Sequence, residues 1–287
     1  MKLHCYKYQG AGNDFVILDN RKGDVKLTDE QVRRLCDRRF GVGSDGLMLL
    51  GAAPEGNPSL DFTMRYFNAD GPEGTMCGNG GRCLVAFAAH MGIKKFEFNA
   101  IDGYHSAEVL EYSPSRCIVR LRMRELPLED GKTPVNRLED GYFLDTGSDH
   151  FVVFVDDVDS YDVDTEGKRL RWDKRFPKGA NVNFVEVVGS DRPDAARGLK
   201  VRTYERGVEA ETWACGTGVT ASSIASYVNG VRTCDVIPED GKERVRFAIQ
   251  ARGDKLAVDF VANPDGSFGS IYLTGPATRV FETDIEI

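Results

Sequence analysis

The sequence predicts an α+β protein of two similar domains related by a pseudo-twofold axis, each a curved, barrel-like, mostly antiparallel sheet around a central buried helix. Three observations predict it. Blocks of residues recur in one order at a nearly constant offset, runs of alternating polar and apolar residues fill most of each half, and each half holds one helix without a polar face.

The repeat organises the chain. GAGNDFVILD, from Gly10, matches TGSDHFVVFV, from Thr146, with Phe15 over Phe151 and Val16 over Val152. Arg39, Phe40 and Gly43 match Arg175, Phe176 and Gly179, 136 positions on. MRYFNADGPEGTMCGNGG, from Met64, matches VRTYERGVEAETWACGTGV, from Val201, with Arg65 over Arg202 and Cys77 over Cys215. Three blocks in the same order read as two copies of one domain. The first spans 1–126 and carries Cys77, with 276–287 a candidate to return to it; the second spans 127–275 and carries Cys215.

Strand signals in the first copy are CYKYQG, FVILDN, GLMLLG, DFTMRYF, KFEFNA, HSAEVLEY and RCIVRLRM. In the second they are FVVFVDDV, VNFVEVV, LKVRTYE, VRFAIQA, KLAVDFV and SIYLTG. Glycine, asparagine and aspartate turns break them. A helix follows each repeated cysteine, over Asn79 to Met91 with a stop at Gly92, and over Thr217 to Asn229 with a stop at Gly230. RCLVAFAAHM and VTASSIASYV are small or apolar all round, the composition of a helix wrapped on every side. A surface helix follows Thr28, where TDEQ reads as a capping box closed by Gln31. GVGSDG at 41–46 fits the GxGxxG pattern, but it follows that helix and leads into a strand, the reverse of a dinucleotide-binding turn.

Composition limits the classes of function. With 287 residues and 41% apolar content the chain has enough material for well-formed cores. A net charge of −8 with scattered basic residues argues against nucleic acid as a partner. The start, MKLHCYKYQG, lacks the layout of a signal peptide, and no apolar run is long enough to span a bilayer, so no membrane and a cytoplasmic location are expected. The cysteines at 5, 36, 77, 83, 117, 215 and 234 form no CxxC pair and no zinc-like cluster with the four histidines, so no metal is expected. The acidic run from Asp156 to Gly167 lacks the pattern of an EF-hand and reads as a solvated loop.

Cys77 and Cys215 each precede a GxG opening of a buried helix. Unpaired amides at a helix start carry partial positive charge, and glycine lets the backbone approach an anion. A thiol there has its thiolate favoured, and a carboxylate would be held by main-chain donors. Brought together by the pseudo-twofold axis, the two openings suit inversion at a carbon bearing hydrogen: one thiolate removes the proton and the other thiol returns one to the opposite face. Main-chain donors would stabilise the enediolate-like charge on the carboxylate. Such chemistry calls for no organic cofactor. The alternatives are packing, as is simplest for Cys83, or a redox switch made by the two thiols.

YQGAGNDFVILDN, FNADGPEGTMCGNGGRC and ERGVEAETWACGTG together resemble diaminopimelate epimerase, the family of isomerases that work without pyridoxal phosphate in lysine and peptidoglycan-precursor synthesis. The likeness spans nearly the whole chain. Proline racemases and hydroxyproline epimerases share the cysteine pair but not the FNADG and ERG settings. The resemblance implies a homodimer, a small-molecule amino-acid substrate and an active site in the cleft between domains, with Cys77 and Cys215 as acid-base thiols. It further implies that Gly78, Asn79, Gly216 and Thr217 hold the reacting carboxylate, that Asn13 is a polar contact, and that Asn68, Asn181, Glu205 and Arg206 read the far end of the substrate. Arg206 offers a fork for a second carboxylate and Glu205 balances an amine.

Residue by residue, other uses stay open: Asn13 and Asn68 as turn residues, Glu205 and Arg206 as an ordinary ion pair. The chain also departs from the family. Where many members have GNPH it has GSDH, so Ser148 replaces a distal-group asparagine and Asp149 a proline, while His150 keeps its place. Gly46 stands where some members carry glutamine, and VEAE after Gly207 is one residue longer than the shorter family form. These differences bear on which amino acid is accepted, and another amino-acid racemase is the competing reading.

Overall fold

The computed structural model describes residues 1–189, 197–239 and 242–287. The chain divides into two units, Met1–Leu121 with Gly275–Ile287, and Arg122–Thr274.

In the first unit, β1 (Lys2–Gly10) and β2 (Asn13–Asn20) form a hairpin closed by Ala11 and Gly12. Both turn residues have positive φ, 53° and 94°, the primed geometry that matches strand twist. Helix α1 (Asp29–Cys36) carries the chain to β3 (Gly46–Ala52), which runs parallel to β2. Thr28 and Gln31 complete the expected capping box, and Val32 and Leu35 pack onto Leu47, Leu49 and Phe67. β4 (Phe62–Asn68) is antiparallel to β3 and is flanked by the short β5 (Glu73–Gly74). Helix α2 (Gly78–His90) then crosses to β6 (Phe96–Ala100), parallel to β4, and β7 (Gly103–Tyr112) and β8 (Arg116–Arg122) follow antiparallel.

The last strand of the chain closes this sheet. Gly275 to Thr278 pair with β8, and Thr278 to Glu286 pair with β1, so eight strands form a ring. A closed ring has no free edge for another chain to pair with. Inside it lies α2, packed on β1, β2, β3 and β7 and buried from Gly78 to Ala88. Gly10 is the close approach: a Cβ there would lie 3.0 Å from the Asn79 carbonyl oxygen and 3.1 Å from Cys83 Sγ.

The second unit repeats the connections. β9 (Asn136–Leu138), β10 (Gly141–Asp145) and β11 (Asp149–Phe154) are antiparallel neighbours. Helix α3 (Val163–Arg171) leads to β12 (Asn181–Val188), parallel to β11, and β13 (Gly198–Glu205) turns back antiparallel with β14 (Ala210–Thr212) beside it. Helix α4 (Gly216–Val228) and β15 (Asp235–Glu239) lead to β16 (Lys242–Ala251), which pairs parallel with β13. β17 (Lys255–Ala262) and β18 (Phe268–Glu286) complete the order, and Leu126 pairs with Phe268 on the far side of β18.

Helix α4 packs on β10, β11, β12, β13, β16 and β17. Three of its buried hydroxyls are satisfied within the helix, where Thr220, Ser222 and Ser223 donate to the carbonyls four residues back at 2.8–2.9 Å, while the buried Ser226 Oγ has no such partner. Those back-bonds let most of the serine and threonine side chains of the helix sit inside a sheet. Each unit is therefore the expected barrel-like sheet around a helix, and each helix starts one residue earlier than the glycine spacing indicated.

One expectation is corrected. The acidic run is loop only at its start, because Asp162 caps α3 by accepting from Thr165 N at 3.1 Å and Val163 is buried behind it. Asp164 and Glu166 fall in the first turn, where the helix dipole favours acids. Ahead of the helix, Asp157, Asp159 and Glu186 converge, and Lys200 Nζ stands 2.6 Å from Asp159 and 3.6 Å from Glu186. Among the described residues no helix is long and apolar enough to cross a membrane.

Candidate active site

The two repeated cysteines occupy equivalent local positions. Cys77 is the N-cap of α2 with φ −94° and ψ 131°, and Cys215 is the N-cap of α4 with φ −106° and ψ 112°. Neither side chain caps its helix. The first intrahelical bonds run from Gly81 N to the Cys77 carbonyl at 2.7 Å and from Val219 N to the Cys215 carbonyl at 2.9 Å. The amides of Gly78, Asn79, Gly216 and Thr217 therefore belong to first turns, whose N–H groups have no intrahelical acceptor. Cys77 is half-buried, Cys215 buried, and both are thiols.

Around Cys77 the polar groups form one chain. Asn79 Nδ2 donates to Asn13 Oδ1 at 2.6 Å, and Asn79 Oδ1 accepts from the buried Arg82 at 2.9 Å. Asn13 Nδ2 donates in turn to Asp45 Oδ2 at 3.1 Å. Arg38 joins Asp45 (2.6 Å) to Asp14 (2.7 Å), and Lys7 pairs with Asp14 at 2.7 Å. Burial pushes the Asp14 carboxyl up, but hydrogen bonds from Arg38 and Lys7 outweigh it and hold the group down at about 2. The hairpin end bearing Asn13 is thus anchored by fixed charges. Asn68 stands apart: it is exposed at the end of β4 and heads the turn in which Gly71 N donates to its carbonyl at 2.9 Å.

Around Cys215 the expected residues do come together. Asn181 Nδ2 donates to Ser148 Oγ at 3.1 Å, and Asn181 Oδ1 accepts from Arg206 N at 2.8 Å. Thr212 donates to Glu205 Oε1 at 2.5 Å. His150, noted in the sequence but given no role, is the centre of this half. Asn183 Oδ1 accepts from Thr203 at 3.0 Å, which turns its Nδ2 toward His150 Nδ1 at 3.0 Å. Nδ1 is then the acceptor, and Nε2 carries the proton toward Thr217 Oγ1 at 2.9 Å and Ser148 Oγ at 3.0 Å. The Thr217 hydroxyl lies 3.5 Å from Cys215 Sγ. Accepting from His150, it has its own proton to direct at the sulfur.

Burial pushes the His150 imidazole down to about 3, so this ring is neutral and acts as a fixed donor at neutral pH. The other cysteines lack such settings. Burial pushes the Cys83 thiol up, and burial followed by the Asp284 charge pushes Cys5 up to about 12. Arg82, Asp45 and Asn183 were missed by sequence reasoning. Only Arg82 left a signal, as the one charged residue in an otherwise apolar helix.

Comparison with known proteins adds to this geometry. The family model for diaminopimelate epimerase matches residues 5–111 and 142–280. A diaminopimelate epimerase of Flavobacterium psychrophilum is 43% identical over 290 residues, covering 99% of this chain and 100% of the relative. The chain belongs to the diaminopimelate epimerase family. A second diaminopimelate epimerase, from Chlorobaculum tepidum, is 44% identical over 97% of this chain and 99% of its own length. At the level of fold alone, a Bacillus anthracis phenazine biosynthesis protein of the PhzF family superposes with a TM-score of 0.70 at 15% identity, over 100% of both chains.

At Gly46, where some family members carry glutamine, the local packing leaves little room for a side chain. A Cβ at Gly46 would stand 2.6 Å from the Tyr66 ring and 2.8 Å from the Phe67 carbonyl oxygen, so the tyrosine occupies the space a longer side chain would need.

Proposed function

We propose that the chain interconverts LL- and meso-2,6-diaminopimelate, with Cys77 and Cys215 as the acid-base pair. Membership of the family supports the substrate. The observation that carries the thiol roles is that each cysteine N-caps a buried helix with the same CGxG opening.

In one direction a thiolate takes the α-proton and the other thiol gives its proton to the opposite face of the same carbon. The C–H pair of electrons passes into the carboxylate as an enediolate and returns to form the new C–H bond. One proton leaves and one arrives, no electron is gained or lost, and the thiols end with their protonation exchanged. First-turn amides at Gly78, Asn79, Gly216 and Thr217 are the donors for the carboxylate as its charge grows. Each such donor is worth roughly two to three orders of magnitude in rate, and each positioned proton carrier roughly two to four. The reading takes no organic cofactor and no metal.

Asn13 contributes a polar contact, and Asn68, Ser148, Asn181, Glu205 and Arg206 read the distal amino-acid group. The enzyme is read as a cytoplasmic homodimer serving lysine and peptidoglycan-precursor synthesis, in a compartment that keeps both thiols reduced.

The test is incubation with LL-diaminopimelate in deuterium oxide under reducing conditions. Deuterium is expected at the α-carbon together with meso product, and absence of both overturns the reading. Ser148 and Gly46 favour one second reading, an amino-acid racemase of different substrate. It would replace the first if monocarboxylic amino acids turn over and Arg206→Ala leaves that turnover unchanged.

A further inference from the structure

We infer that Asp149, where many members of the family have proline, is a substrate residue: it receives the distal ammonium of the substrate while the neighbouring Arg206 receives the distal carboxylate. The inference rests on the diaminopimelate reading and extends it to the selection of a zwitterionic far end.

Asp149 Oδ2 and Arg206 Nη1 face each other at 3.5 Å. That separation is an ion pair but exceeds the usual span of a hydrogen bond, so each charge keeps hydrogen-bonding capacity. Among the described residues Arg206 Nη1 otherwise reaches main-chain carbonyls, those of Lys178 at 3.4 Å and Gly179 at 3.3 Å. The Arg206 and Asp149 side chains are 32% and 25% exposed, so solvent reaches both.

A single buried amide fixes both members. Asn181 Nδ2 donates to the Asp149 carbonyl at 3.2 Å, and Asn181 Oδ1 accepts from Arg206 N at 2.8 Å. One side chain thus ties together two backbones already held by the pairing of β11, β12 and β13. A fixed cation and anion a few ångströms apart complement an amino-acid centre, whose carboxylate and ammonium are held at similar spacing by one carbon. Glu205, at the adjacent position, accepts from Thr212 at 2.5 Å through one oxygen and keeps its part in reading the distal group, while Asp149 is the acid paired with Arg206. A proline at 149 would supply no charge.

The measurement compares LL-diaminopimelate with 2-aminopimelate, which keeps the distal carboxylate and lacks the distal ammonium, as substrate or competitive inhibitor. In Asp149→Asn, KM for LL-diaminopimelate rises roughly tenfold, the scale of one partly exposed charge-assisted hydrogen bond. The value of kcat changes little, and the constant for 2-aminopimelate is unchanged, so the wild-type preference for the diamine falls by the same factor. Asp149→Glu restores part of it. A preserved preference in Asp149→Asn overturns the inference, and so does an equal loss for both compounds, which would mean that Asp149 only holds Arg206 in place. If the wild type turns over LL-diaminopimelate and Asp149→Asn behaves like it, only this inference fails; if the wild type does not turn it over, the functional reading fails with it.

Discussion

The Thr217 hydroxyl bridges His150 Nε2, at 2.9 Å, and the Cys215 sulfur, at 3.5 Å. A hydroxyl proton aimed at sulfur favours the thiolate, because hydrogen bonding to the charged form lowers the pKa of an acid. Thr217→Val keeps the shape and removes the donor. The acid limb of the kcat/KM profile should move to higher pH, with a loss of about tenfold at neutral pH for one donor. Thr217→Ser should retain the wild-type profile. A Val variant with an unshifted limb would show that the hydroxyl serves only packing.

His150 gives a pH signature in stability. The buried ring is held at about 3, against 6.5 for the exposed group, so below 6.5 the unfolded chain binds the proton that the folded chain refuses. Its contribution is complete above that value and is lost as pH falls toward 3. Across this window the wild type should lose stability faster than His150→Gln, by up to about 1.4 kcal/mol per pH unit. Urea unfolding at a series of pH values measures it, and parallel curves would refute it. Asp14 acts lower: its carboxylate is held down at about 2, so its contribution is present above 3.8 and is lost as pH falls through 2.

Gly46 and Tyr66 should behave as a coupled pair. Gly46→Ala places a methyl group 2.6 Å from the Tyr66 ring and should cost about 1–3 kcal/mol, the usual penalty for overpacking. In Gly46→Ala with Tyr66→Leu the combined loss should be smaller than the sum, with a coupling of at least about 0.5 kcal/mol. The Phe67 carbonyl contact at 2.8 Å remains, so recovery should be partial. Strict additivity in thermal or urea unfolding would rule out the steric account.

Arg82 is wholly buried, donating to Asn79 Oδ1 at 2.9 Å and to the Gly78 carbonyl at 3.3 Å. Arg82→Met should leave these acceptors short of a donor, at a cost of roughly 1–3 kcal/mol. With Asn79 loosened, substrate KM should rise as well. A stable variant with unchanged KM would remove Arg82 from the account of the half-site.

What the sequence disclosed follows from what a repeat can carry. Cys77 and Cys215 were legible because one pattern, CGxG before an apolar helix, occurs at equivalent places in both copies. The chain through His150 was not, because it depends on strand pairing. His150 lies beside Asn181 in the parallel register of β11 and β12, and this sets Asn183 against the imidazole. No local pattern announces such a partner. The helix at Val163 was hidden for a different reason: its cap, Asp162, lies within a run of acids whose charge is the stronger local signal.

The strand that closes the first unit has a consequence for synthesis. It pairs Lys2 with Glu286, 284 positions apart. During translation the contiguous stretch 122–274 is complete while the ring begun at residue 2 still lacks its eighth strand. The sheet begun first is therefore closed late, and its nascent edge stays open until residues 275–286 have been made.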